Sequence, residues 1–213
     1  MKIYISNQAY PALKDYLKSQ GHRLIYTESD KVYPQISKHP DIYMCHLGNG
    51  LFFGQEESLG YSYPQNIIYN GASTGCYFIH NIKYTDQKLL ETVKKYDQKI
   101  IDVKQGYAKC SIVVVDQKSI ITSDRGIAKA CQGILDVLLI EPGHIVLEGF
   151  DYGFIGGCSG RIGRTVLFNG NLKNHPDFEK IRTFIEERNL ELKYFEDYPL
   201  TDIGSIIGEE GWM

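Results

Sequence analysis

The sequence contains no apolar run of about eighteen residues, the length a helix needs to cross a bilayer, so no membrane-spanning segment is expected. Its opening, MKIYISNQAYPALKDYL, lacks the apolar stretch of a secretory signal. It also lacks a CxxC pair. The five cysteines are scattered and odd in number, which argues against a disulfide framework and suits a reducing cytoplasm. There is no excess of positive charge: Lys+Arg 23 stand against Asp+Glu 26, a net charge of −3, so nucleic acid and anionic membranes are not the expected partners. The glycine-rich stretch Gly156–Gly163 lacks the GK[ST] ending of a phosphate-binding loop, and no cofactor is expected. Low-complexity tracts and Pro/Ser-rich linkers are missing as well, so residues 1–213 are expected to form one domain.

The residues that are present, 43% of them hydrophobic, are enough for a substantial core. Apolar residues at helical spacing predict helices over 12–20 (Leu13, Tyr16, Leu17), 86–96 (Leu89, Leu90, Val93) and 176–188 (Phe178, Ile181, Phe184, Ile185). A fourth is predicted over 126–132. Each is followed by a strand-like run, at 22–27, 99–103, 190–195 and 136–140 respectively, then by a loop and a second strand. The β-branched runs Ser111–Val115 and Ser119–Thr122, joined by Asp116-Gln-Lys118, read as a hairpin.

The second strands resemble one another: HPDIYMCHLG, YAKCSIVVV, FDYGFIGG and PLTDIGSII. A fifth, YPQNIIYNGA, begins the same way without a preceding helix. Each opens on a small polar or nucleophilic residue, namely Asp41, Asn66, Cys110, Asp151 or Asp202. The mean spacing is about 40, in the range of repeat architectures. Five such α/β units arranged radially would place those residues around one axis.

A short α/β chain of this kind resembles the pentein fold, a five-fold pseudo-symmetric propeller. HPDIYMCHLG, YPQNIIYNGA, QGYAKCS, IITSDRGIA, GFIGGCSG and NHPDFEKI together look like an uncharacterised bacterial domain family of the guanidino-group-modifying enzyme superfamily. The resemblance implies a cysteine thiolate attacking a guanidinium carbon, a histidine as acid/base, and carboxylates that hold the cation. In those enzymes the cysteine lies near the C-terminus. Here LTDIGSIIGEEGWM has none, and the match in texture is QGYAKCS.

Cys110 is therefore the leading candidate nucleophile, with Lys109 and the polar loop at Gln105 expected to lower its pKa. Cys158, in the glycine-rich turn, is its rival. Asp41, Asp151 and Asp202 are expected to converge on the axis and bind a guanidinium, with Asn66 alongside. His46 is the candidate acid/base and His144 the alternative. Asp124 and Glu148 are further acids at strand ends, and Asp124 is also placed to cap the helix that begins at Gly126. His39 and His175, each in His-Pro-Asp, read as turn or helix-start residues.

The expected function is a Cys-dependent hydrolase or transferase acting on a small cationic, arginine-like metabolite. Two alternatives remain: a non-catalytic module for such a cation, and a protein-binding module like the ribosome anti-association factor. The latter would use Phe52, Phe53, Tyr61, Tyr63 and Trp212 as an apolar patch.

Overall fold

A computed structural model describes residues 1–211. Along the chain come β1 (Lys2–Ile5), α1 (Pro11–Ser19) and β2 (Arg23–Tyr26), then the hairpin of β3 (Met44–His46) and β4 (Leu51–Phe53). Next are β5 (Ala72–Ser73), β6 (Tyr77–His80), α2 (Gln87–Lys95) and β7 (Lys99–Asp102). The short α3 (Ala108–Ser111) leads into β8 (Ile112–Val114), β9 (Ser119–Thr122), α4 (Arg125–Cys131) and β10 (Asp136–Leu139). The chain continues through β11 (Ser159–Ile162), β12 (Thr165–Phe168), α5 (Phe178–Glu186) and β13 (Glu191–Lys193) to β14 (Ile207–Gly208).

These strands form five small sheets of two or three strands, a mixed α/β architecture compatible with five repeated units. Three sheets share one plan: an antiparallel hairpin, a helix, and a third strand parallel to the hairpin's second strand. They are β5-β6-β7, β8-β9-β10 and β11-β12-β13. A fourth follows the same plan across the ends of the described chain, with β14 antiparallel to β1 (Ile3 opposite Gly208) and β2 parallel to β1. Among the described residues the β3-β4 hairpin is followed by a 3₁₀ turn (Glu56–Ser58) and has no α-helix or third strand of its own.

The helices form where local chemistry starts and stops them. Pro11 opens α1, and Gly21, at φ +78, follows its C-cap. Asp86 caps α2 by accepting from Leu89 N at 3.0 Å, and Asp124 caps α4 by accepting from Ile127 N at 2.9 Å. Helices α1, α2, α4 and α5 each bury an i, i+4 pair on their sheets: Leu13 and Leu17, Leu89 and Val93, Ile127 and Cys131, Ile181 and Ile185. Such a side chain contributes roughly 1.5–3 kcal/mol when fully buried. None of the helices among the described residues is long and apolar enough to cross a membrane.

The register of the repeat differs from the sequence expectation. The leading strands of the five sheets begin at 44, 72, 112, 159 and 207, after the polar residues rather than at them. Cys110 lies inside the helical turn α3 and does not open a strand. In the fourth unit the segment before the strand is Gly156–Cys158. Asp151 lies on an exposed loop upstream and does not converge with Asp41 and Asp202.

Candidate functional site

The segments just before the five leading strands are bonded to one another. Asn70 Nδ2 donates to Asp41 O at 3.0 Å, and Lys109 N to Asn70 O at 3.0 Å. Gly157 N donates to Cys110 O at 2.8 Å, and Ser205 N to Gly157 O at 2.7 Å. Asp41 N donates to Gly204 O at 3.2 Å, which links the fifth segment back to the first. Close approach explains the glycines of this region: a Cβ on Gly157 would collide with the Asp202 carboxylate, and one on Gly204 with His39. The Gly156-Gly157 pair thus serves tight packing.

Asp41 stands at the centre, with 0% of its surface exposed. Its Oδ2 accepts from Ser205 Oγ at 2.7 Å and from Cys110 Sγ at 3.1 Å. Its Oδ1 is buried and has no hydrogen-bond partner among the described residues. Asn70 Nδ2 also reaches Cys110 Sγ at 3.4 Å, while Asn70 Oδ1 accepts from the backbone N–H groups of Lys109 and Cys110. The partly exposed Lys109 turns its ammonium inward, donating to Ser205 Oγ at 2.9 Å. Buried Asp202 accepts from Phe154 N at 2.9 Å and Gly204 N at 3.0 Å, and His39 Nδ1 lies 3.8 Å from its Oδ1.

The electrostatics follow from burial. Desolvation raises the Asp41 carboxyl, with His39 and Lys109 pulling it back. Desolvation also lifts Asp202 to about 6, against the backbone N–H bonds from Phe154 and Gly204. His39 falls to about 4, so it is neutral near pH 7. Lys109 is lowered by burial while Asp41 holds it up. The expectation that Lys109 activates Cys110 is corrected. Burial first, and then the charges of Asp41 and Asp202, push the thiol well above its ordinary value. Lys109 Nζ ends on the Ser205 hydroxyl and Cys110 Sγ on the Asp41 carboxylate, two groups that are hydrogen-bonded to each other.

The remaining candidates lie elsewhere. His46 is buried on β3, with Nδ1 accepting from Gly48 N at 3.0 Å and Nε2 at 3.2 Å from Glu210 O. Burial lowers its pKa to about 4. Asp124 Oδ2 accepts from Gln105 Nε2 at 3.0 Å, in a separate cleft of about 940 Å³ whose walls include Tyr63, Lys104, Tyr107 and Lys129. Buried Asn66 accepts from Tyr107 OH at 3.1 Å, and its Nδ2 has no hydrogen-bond partner among the described residues. Tyr107 OH also lies 3.0 Å from Tyr33 OH.

Glu148 sits on the rim of a second cleft, about 590 Å³, floored by His39 and Asp202 and walled by Gln8, Tyr10 and Gln35. Among the described residues no Lys or Arg lines it. Cys158 is buried and donates to Ile155 O at 3.2 Å. His144 is exposed, edge-on to His175 with ring centroids 5.1 Å apart. Of the aromatic patch, Tyr61 leans on Tyr33 whereas Phe53 packs on Tyr4 and Phe52 on Tyr69; Trp212 lies outside the described residues.

Asn70 and Ser205 are not among the candidate site residues and His39 reads in the sequence as a turn residue, although all three belong to the centre. The available signal was position: Asn70 and Ser205 each stand two residues before their leading strand, as Cys110 does.

A model of a family described as "Family of unknown function (DUF6873)" matches residues 51–207, and the chain belongs to that family. No curated protein and no solved structure matches the chain.

Proposed function

We propose that this DUF6873 member is a pentein-like, closed five-unit propeller whose polar centre binds a small monovalent cation of the guanidinium class. Support for the closed ring comes from the bonds that run through the five segments and return to Asp41, and from the pairing of β1 with β14. The reading is carried by one observation: Asp41 is fully buried with Oδ1 unpartnered. A buried carboxylate oxygen without a donor is costly, and a ligand N–H removes that cost. Charge points the same way. When ionised, Asp41 and Asp202 bring two negative charges against the single ammonium of Lys109, with His39 neutral. One further positive charge balances the centre. A planar guanidinium presents paired donors to a carboxylate. The cleft floored by His39 and Asp202 is of ligand size and borders the centre at Asp202, and among the described residues no Lys or Arg lines it.

Thermal unfolding with millimolar methylguanidinium, agmatine or arginine tests the proposal. The melting temperature should rise by mass action, and Asp41→Asn should abolish most of the rise. Equal shifts with sodium chloride at matched ionic strength would reduce the effect to screening and end the proposal.

A catalytic role is the second reading, favoured by the contact of Cys110 Sγ with Asp41. A guanidinium docked on Oδ1 would bring positive charge beside the sulfur and favour the thiolate, with the thiol proton passing to Asp41. His46 and Asp124 are engaged elsewhere, which places this reading behind simple binding. A haloamidine should then label Cys110 with saturation kinetics; labelling that rises linearly with reagent would leave binding alone.

A further inference from the structure

Ser205 adopts a left-handed backbone, φ +76, that a residue with a side chain rarely takes. It is 0% exposed and follows Gly204, at φ +69, so two successive residues hold this conformation. Strain of this kind persists where the surroundings demand a particular side chain. The demand is visible in its contacts. Ser205 Oγ accepts from Lys109 Nζ at 2.9 Å and donates to Asp41 Oδ2 at 2.7 Å, with Gly156 O at 3.1 Å. Among the described residues, Lys109 Nζ makes no ion pair within 4.0 Å of a carboxylate, although it lies close enough to Asp41 to pull that pKa down. Lys109 Nζ also donates to Gly156 O at 3.4 Å, and the Ser205 hydroxyl bonds to the ammonium and to the carboxylate alike.

We propose that Ser205 is a positioning residue that holds Lys109 off Asp41, so that the carboxylate stays open to an external cation. The ligand half of this statement rests on the cation-binding reading above; the spacer half does not. The built-in ammonium and the incoming cation compete for one carboxylate, and the serine hydroxyl decides the competition by occupying the space between them. Glycine, the residue the backbone prefers, would leave that space empty.

Ser205→Gly relieves the backbone, so it is the variant best suited to keep the fold. The readout is the Asp41 carboxyl titration, followed by carbon-13 NMR in wild type, Ser205→Gly, Lys109→Met and the double variant. Removing the Ser205 hydroxyl deletes a hydrogen bond that favours the Asp41 carboxylate, so a merely structural serine predicts a raised Asp41 pKa in both backgrounds. The spacer predicts opposite signs: lowered by a unit or more when Lys109 is present to close on Asp41, and raised in the Lys109→Met background. A rise in both backgrounds, or no change with Lys109 present, overturns the spacer.

Methylguanidinium affinity, from melting-temperature shifts, is the second arm. Ser205→Gly should weaken it at least tenfold without lowering the melting temperature of the ligand-free protein. Undiminished affinity in Ser205→Gly also overturns the proposal. If wild type binds no methylguanidinium while the titration signs reverse, the spacer stands and the cation-binding reading falls.

Discussion

Cys110 Sγ lies 3.1 Å from Oδ2 of Asp41, across 69 residues of sequence, and donates to a carboxylate that also takes the Ser205 hydroxyl. The thiol therefore faces negative charge inside a desolvated centre, the opposite of the surroundings that activate a cysteine. Its proton is held until a cation enters or the acid is removed.

That contact sets an order of reactivity. At pH 7, iodoacetamide should modify Cys76 first, because Cys76 is half-buried and the other four cysteines are buried. Cys110 and Cys158, both buried and both raised by burial, should react far more slowly. Asp41→Asn should speed Cys110 relative to Cys158 in the same molecule, with peptide mass spectrometry as the readout, since it deletes a charge next to Cys110. Native labelling of Cys110 ahead of Cys76 would falsify the protonated-thiol assignment.

Packing at the fourth segment gives a second expectation. A Cβ on Gly157 would overlap both oxygens of Asp202, so Gly157→Ala should destabilise by about 3 kcal/mol, at the upper end for overpacking. Gly50→Ala meets nothing within 4 Å and should be neutral or slightly stabilising. Urea midpoints for the two variants check this. Similar midpoints would mean that Asp202 moves aside at little cost.

The helices and the β8–β9 hairpin were legible in the sequence because their signals are local. An i, i+4 apolar pair, a capping aspartate and a β-branched run are each complete within a few residues. The centre was half legible. Asp41, Lys109, Cys110 and Asp202 were found by asking which polar residues precede the apolar strands. A small polar or nucleophilic residue followed by an apolar run points to Asn66 rather than Asn70 and to Asp151 rather than Gly157. Backbone approach decides the register, and Gly156-Gly157 has no side chain to advertise it. His39 was read as turn chemistry, which is right for its backbone, at the entry of a 3₁₀ turn. Its imidazole beside Asp202 depends on a contact between residues 39 and 202, and no local pattern carries that. Adjacency in sequence also misled for Lys109 and Cys110: both side chains reach the Asp41–Ser205 pair, but the thiol meets the carboxylate rather than the ammonium.

The buried histidines govern the response to acid. His39, His46 and His80 are each lowered from 6.5 to about 4, principally by burial. The His80 ring is enclosed by Thr85 Oγ1 at 2.8 Å and Gly106 O at 3.0 Å. For a base with a depressed folded pKa, the unfolded chain binds more protons between the two values, so stability is lost as pH falls from about 6.5 towards 4. At pH 5 each histidine withdraws about 2 kcal/mol. Asp202 acts in the other direction. Its folded pKa of about 6 exceeds the unfolded value near 4, so the native state gains as pH falls through that window, by about 1 kcal/mol at pH 5. Asp41, also raised, adds to this gain. Three histidines outweigh the acids, and the melting temperature should fall between pH 7 and pH 5. His80→Gln should flatten that fall, because glutamine does not titrate and offers an amide to the same partners. A melting temperature that is level or rising towards pH 5 would mean that the two central acids dominate, and that the centre is held protonated until a cation replaces the proton.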